Sequence, residues 1–362
     1  MATSLILSWN LATPCAAAIQ KWNSTLPENS YFKISDGLTE RVEFWMKIYS
    51  HYNTNQGVFH LIDDPSFVLG EVDFTSITEN AVLSGYEKQK QIQKLTELKR
   101  QELIQKWKIS DPKKVRLQMG LKDRMQKAFF ISGRYLPTME KIFQKKGLPI
   151  ELTRLVFVES SFNVLAQSKV GASGLWQIMP SVARPLGYMQ AHYDKRNHPF
   201  YATELAAEIL KTNYQKLESW PLAITAYNHG LNGIKRMVQN NQTNQLEDLI
   251  ESENVSRSWG FASKNFYACF LAVLEVEKNA HSLFGEQLFQ SKLQTVKQIN
   301  LPKALPQSQI LQLFNGSMTR FKQMNPHLHW NKITRRKKLP AGLPLIVPAD
   351  TYHLVARLHS SL

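Results

Sequence analysis

Apolar positions recur at helical spacing through most of the chain, and the turn residues between them divide it into short helices. Arg41 to Tyr49 (RVEFWMKIY) reads as an amphipathic helix followed by an Asn/Gly turn near 53–57. Between Asn80 and Lys108 the sequence shifts to Lys, Gln, Glu and Leu, with Ile92, Leu95 and Leu98 at three-residue steps. This predicts a long polar helix packing one narrow face, broken at Asp111-Pro112. A basic segment, Lys113 to Lys127, leads through Ser132 to Pro137 into a helix over Thr138 to Lys146, which Gly147 stops. Leu175 to Met179 reads as the first turns of a helix, and Thr203 as the N-cap of one carrying Ala206, Leu210 and Leu217. Trp220-Pro221 opens the next, ending near Gly230, and Ser263 to Lys278 is apolar enough in its middle to be buried. From Gln298 the pattern changes. Asn325-Pro326, a basic run over 332–338 and Leu339 to Pro348 (LPAGLPLIVP) predict short strands and turns in a small separate module.

Composition narrows the partner more than the fold. The 362 residues carry a net charge of +15, which calls for an anionic partner: nucleic acid, a membrane surface or an acidic envelope polymer. The first eighteen residues are apolar and end in small residues, with Ala16 and Ala18 spaced for signal-peptide cleavage, so export is the favoured reading although a basic start is missing. Cys15 follows Ala12-Thr13-Pro14, a poor lipid-attachment context. After cleavage Cys269 would be the single cysteine, a small buried hydrophobe rather than half of a disulfide.

Several chemistries are absent by motif: no Gly-x-Ser-x-Gly elbow, no His-Glu-x-x-His helix, no phosphate loop and no dinucleotide fingerprint. His51 and His60 read as structural, and His192, His198 and His229 are too scattered for a metal site. No cofactor is implied. What stands out is Leu152 to Asn163 (LTRLVFVESSFN), where the apolar run Leu155 to Val158 delivers Glu159 to the edge of a core. A carboxyl so placed loses hydration, and its pKa rises toward the range where it can donate a proton near neutral pH. In isolation a helix-end carboxylate is the simpler reading. Its neighbours shift the balance: the glycine turn Gly171 to Gly174, then Trp176-Gln177, then Tyr227-Asn228.

Taken in order, Glu159-Ser160-Ser161-Phe162-Asn163, Ser168-x-x-Gly171-Ala172-x-Gly174-Leu175-Trp176-Gln177-x-Met179, Asp194-x-Arg196 and Ala226-Tyr227-Asn228 resemble the lytic transglycosylases of the soluble-transglycosylase, goose-lysozyme-like group. Ser132 to Pro137 and Gly147-Leu148-Pro149 bring the resemblance nearest to the membrane-bound lytic murein transglycosylase D branch, over about 122–269. The resemblance implies a mainly α chain: a signal peptide at 1–18, an N-terminal helical region at 19–115, a lysozyme-like catalytic domain at 116–285, and a small C-terminal α+β module at 286–362 similar to a LysM unit.

It also implies a role for each motif residue. Glu159 is the expected catalytic acid, cleaving the MurNAc-GlcNAc bond with formation of a 1,6-anhydro ring. Tyr227 and Asn228 are expected to hold the N-acetyl group or Glu159, Gln177 to bond the sugar, Met179 to line the groove, and Ser160 and Ser168 to orient acid or glycan. Trp176 is either groove or core. Relatives carry a tyrosine on the last helix facing the acid; here either Tyr267 serves or Phe266 occupies that place. Asp194 beside Arg196 reads as a structural ion pair, and as the second acid only in a lysozyme-type hydrolase. The implied partners are peptidoglycan strands and anionic envelope polymers or a membrane surface, in the periplasm or cell envelope. No nucleic acid is implied, and a non-catalytic murein-binding protein is the remaining rival.

Overall fold

The computed structural model describes residues 19–293, 295–334 and 337–356; the expected signal peptide and Cys15 lie outside them. The fold is mainly helical. Ile19–Lys21 (β1) is followed by Thr39–Ser50 (α1), Gln56–Leu61 (β2), Val68–Asp73 (β3), Gly85–Trp107 (α2) and Val115–Met119 (β4). The stretch expected to be helical therefore also holds an antiparallel sheet, in the order β3-β2-β4. The short strands escape a helical reading because Phe59, Leu69, Val72 and Val115 form a separate small core beneath α2, reached by Leu103. Helix α2 starts at a capping box, in which Ser84 accepts from the Glu87 amide and the Glu87 carboxylate accepts from Ser84.

Next come Lys122–Ser132 (α3), Leu136–Lys145 (α4) and Leu155–Ser160 (α5), then Pro199–Leu217 (α6), Trp220–His229 (α7), Leu231–Asn241 (α8) and Phe261–Lys278 (α9). Two helix starts differ from expectation. Leu175–Met179 is a run of turns, with the helix beginning only at Pro180. Helix α6 starts at Pro199, capped by the His198 ring, and Thr203 sits inside it, where its hydroxyl donates to the Pro199 carbonyl. Proline at the first helical position supplied the stronger start signal.

One large core joins the N-terminal segment to the central helices, so α1 is part of the wall of the central domain. Val42, Trp45, Ile48 and Tyr49 all lie on its buried side, and the Trp45 indole donates to Asn265 of α9 at 3.1 Å. Phe289–Ser291 (β5) pairs with β1. Beneath α5, the buried Arg154 holds Glu277 through two bonds of 2.7 and 2.9 Å and also pairs with Glu140. A guanidinium shared between two carboxylates satisfies all three buried charges and fixes the base of the helix that carries Glu159.

The tail folds around its own core. Val296–Asn300 (β6) pairs antiparallel with the last strand, and Leu305–Pro306 (β7) with Lys338–Leu339 (β8), the last strand being Pro344–Pro348 (β9). Helices at Gln307–Gln312 and Met318–Met324 lie between β6 and β9. Asn325 is buried and acts as a piece of strand, donating to the Ile346 carbonyl at 3.0 Å and accepting from its amide at 2.7 Å. The module meets the central domain where the Asp194 amide donates to the His327 carbonyl at 2.7 Å. No helix among the described residues is long and apolar enough to cross a membrane.

Candidate active site

Four apolar residues drive α5 into the core, and Ser161 ends it in the left-handed conformation (φ +48°), which leaves Glu159 on the last turn. Its surface stays partly open to solvent. The carboxyl makes no hydrogen bond among the described residues. With hydration lost and no cation beside it, its pKa is pushed up to about 8 by burial alone, and no other carboxylate acts on it. At neutral pH this is a protonated acid.

Two phenols surround it. Tyr227 of α7 and Tyr49 of α1 are both held far above the ordinary phenol range, by burial first and by the charge of Glu159 among the lesser causes. Tyr49 is hydrogen-bonded to the buried Cys269 thiol of α9, itself pushed up by burial. Sequence reasoning missed Tyr49. On an amphipathic helix it is indistinguishable from a core residue, and only the packing of α1 on α9 brings it to the acid.

The turn segment 166–178 forms one side of the site, and its backbone is tied down by the side chains expected to touch sugar. Ser160 donates to the Leu175 carbonyl and Tyr227 to the Trp176 carbonyl, each at 2.8 Å. The Ser168 hydroxyl accepts from the Ala172 amide at 2.8 Å. Gln177, at φ +46°, donates its amide to the carbonyls of Ala166 and Gly174 at 3.2 and 2.9 Å. Arg196 reaches in from behind, bonding the Gly171 and Ile178 carbonyls at 2.9 and 2.8 Å while its other face is bidentate on Asp194. Asp194 is thus a structural partner, with both oxygens committed. Gly174 (φ +75°) passes so close to this segment that an added Cβ would lie 2.0 Å from the Arg196 carbonyl oxygen.

Trp176 is core: fully buried, stacked on Phe143 with ring centroids 5.6 Å apart, and donating to Thr203 at 2.8 Å. Met179, more than a third exposed, stands on the surface at the start of the following helix. Asn228 is exposed at the end of α7. Tyr267 departs from expectation. It lines a separate cavity of about 470 Å³ with Tyr31, Tyr214, Trp220, Asn244 and Gln245, and the carboxylate acting on its phenol is Glu247. Tyr267 and Cys269 are two positions apart on α9, about 200° of rotation, so Cys269 faces Tyr49 while Tyr267 lines that cavity.

Residues 138–250 match the family model described as the transglycosylase SLT domain. This part of the chain is an SLT domain. The chain is 24% identical over 185 residues to membrane-bound lytic murein transglycosylase D of Escherichia coli K12, covering 50% of this chain and 40% of that protein. It is 31% identical over 119 residues to a putative tributyltin chloride resistance protein of Alteromonas sp. M-1, covering 32% of this chain and 58% of that one. The chain therefore spans less than half the length of the Escherichia coli relative. Among solved structures, the lytic transglycosylase Slt of Pseudomonas aeruginosa is similar at 20% identity and a TM-score of 0.32, over 41% of this chain and 24% of that one.

Proposed function

We infer that the chain is a peptidoglycan lytic transglycosylase that cleaves the MurNAc-GlcNAc β-1,4 bond with Glu159 as its catalytic residue. What carries this reading is a single desolvated carboxyl, its pKa pushed up to about 8, with no second carboxylate acting on it. Two-carboxylate glycosidases need an acid on one side of the bond and a base or nucleophile on the other. A lone acid suits a reaction in which the substrate supplies its own nucleophile. Glu159 gives its proton to the departing GlcNAc oxygen, and the resulting carboxylate takes the proton of the MurNAc C6 hydroxyl as that oxygen bonds the anomeric carbon. The proton count closes without water, and the product ends in 1,6-anhydro-MurNAc. The commitment of Asp194 to Arg196 argues against a lysozyme-type hydrolysis using that residue.

In this reading Tyr227 and Asn228 approach the N-acetyl group, Gln177 uses its free carbonyl oxygen, and Met179 borders the groove. Ser160 and Ser168 act by holding the backbone of segment 166–178. The net charge of +15 supports contact with the carboxylate-bearing peptides of murein or with anionic envelope polymers, in the periplasm or cell envelope. The tail runs two strands, three short helices and two strands, with β6 paired to β9 and Asn325 bonded to β9, and this small α+β unit is in keeping with a LysM-like glycan-binding module. The test is to incubate the protein and Glu159→Gln with murein sacculi and weigh the released muropeptides. Anhydro products from the parent alone are expected; reducing ends would make it a hydrolase, and no release would leave a binding protein.

A further inference from the structure

Three side chains form a hydrogen-bonded chain where α7 ends and α9 begins. Ser263, in the first turn of α9 and buried, donates its hydroxyl to Asn228 Oδ1 at 3.0 Å, and His229 Nδ1 lies 3.2 Å from the same Ser263 oxygen. A hydroxyl has one proton to give. With that proton on Asn228, the contact with His229 is one that Ser263 accepts, so the imidazole carries its proton on Nδ1. Burial and the charge of Arg236 lower the His229 pKa, which favours the neutral ring, and the bond to Ser263 sets which nitrogen carries its proton. The ring is held edge-on against Trp259 at 5.1 Å, and Gly233 leaves the room it needs, since a Cβ there would come within 2.6 Å of it.

The consequence falls on Asn228. Its carbonyl oxygen is turned into the protein, so the amide Nδ2, which has no protein partner among the described residues, is the end offered outward beside Tyr227. We propose that Ser263 and His229 are positioning residues that lock the Asn228 amide with its donors toward the substrate, making the site selective for glycans with an acetamido carbonyl. A de-N-acetylated strand presents an ammonium group there, which can only donate. Without Ser263 the amide turns freely and offers either end. The inference rests on the reading of the cleft as a murein glycan site, but its test is a binding measurement that needs no turnover.

The probes are a peptide-free murein glycan oligomer and the same oligomer after chemical N-deacetylation, titrated into the full chain and its Ser263→Ala, Ser263→Thr and His229→Asn variants. For the acetylated oligomer, Ser263→Ala is expected to weaken Kd about tenfold, the value of one well-placed hydrogen bond. Ser263→Thr keeps the hydroxyl and stays near the parent, as does His229→Asn, whose amide places an N–H close to Nδ1. For the deacetylated oligomer all four proteins bind alike and more weakly. Equal loss on both oligomers, an unchanged Kd in Ser263→Ala, or failure of Ser263→Thr to retain binding would each overturn the assignment. Cleavage of sacculi, assayed separately, reports on the transglycosylase reading itself.

Discussion

Ser160 and Tyr227, from two different helices, donate to the consecutive carbonyls of Leu175 and Trp176, both at 2.8 Å. The segment beside the acid is therefore hung from the helix that carries Glu159 and from the one that carries Asn228. Tyr227→Phe removes one of these ties and leaves a buried carbonyl unpaired. The expected cost is about 1–2 kcal/mol of stability, measured by urea unfolding, with a larger proportional loss in murein turnover. Turnover equal to the parent would show that the tie has no part in holding the site.

Glu159 carries the pH dependence. Its folded pKa of about 8 lies above the 4.5 of an unperturbed glutamate, so the folded state holds a proton that the unfolded state has released between those values. Stability contributed by this group is then undiminished below the unfolded pKa, falls as pH rises from about 4.5 to 8, and levels off above. Glu159→Gln, which cannot ionise, is expected to be the more stable protein at pH 7 to 8 by on the order of 3–4 kcal/mol, and equal to the parent near pH 4. Turnover by the parent should fall along an alkaline limb near pH 8, as the acid loses its proton. Parallel melting curves for the two proteins across pH 4 to 9 would contradict the assignment of the raised pKa.

Much of this site was legible because its parts are local. Glu159 follows its apolar run directly, and the glycine turn lies within twenty residues of it. Three features were not legible, each because long-range packing decides it. Tyr49 reaches the acid from more than a hundred residues upstream. Tyr267 is turned away by the rotation of α9, which no residue type in the run FYACFLAV reports. The strands β2 to β4 belong to a small second core, and their short apolar runs match a helix turn as well as a strand. The bonds that the Ser160 and Ser168 hydroxyls and the Gln177 amide nitrogen make to the backbone of 166–178 were not legible either, since no residue type in the sequence reports which carbonyl or amide a side chain will meet.

Gly174 offers a sharper test of the tied segment. A Cβ at this position meets the Arg196 carbonyl oxygen at 2.0 Å, and its φ of +75° disfavours any other residue. Gly174→Ala is expected to cost about 2–4 kcal/mol and to abolish murein release, because the backbone of 171–178 must shift away from Arg196. Gly187, also at positive φ but with open space around it, is the control. Gly187→Ala bears only the backbone strain, roughly 1 kcal/mol, and retains turnover.

The tail can be examined without touching the acid. Asn325 is fully buried and bonds the Ile346 peptide through both ends of its amide, while its amide also reaches the Phe321 carbonyl. Asn325→Asp keeps the acceptor for the Ile346 amide but sets a carboxylate against two carbonyl oxygens, and Asn325→Ala leaves the Ile346 peptide unpaired on both sides. Either change is expected to destabilise the β6–β9 pair by about 2–4 kcal/mol, the aspartate more at neutral pH than at pH 4, where its proton restores a donor. Hydrogen exchange on the backbone amides of 296–300 and 344–348 reads this directly. If the module has an independent share in holding murein, Asn325→Ala should weaken sedimentation with sacculi while leaving the cleavage of short glycan oligomers intact. Equal loss of both would mean that the contact between Asp194 and His327 transmits the damage to the SLT domain.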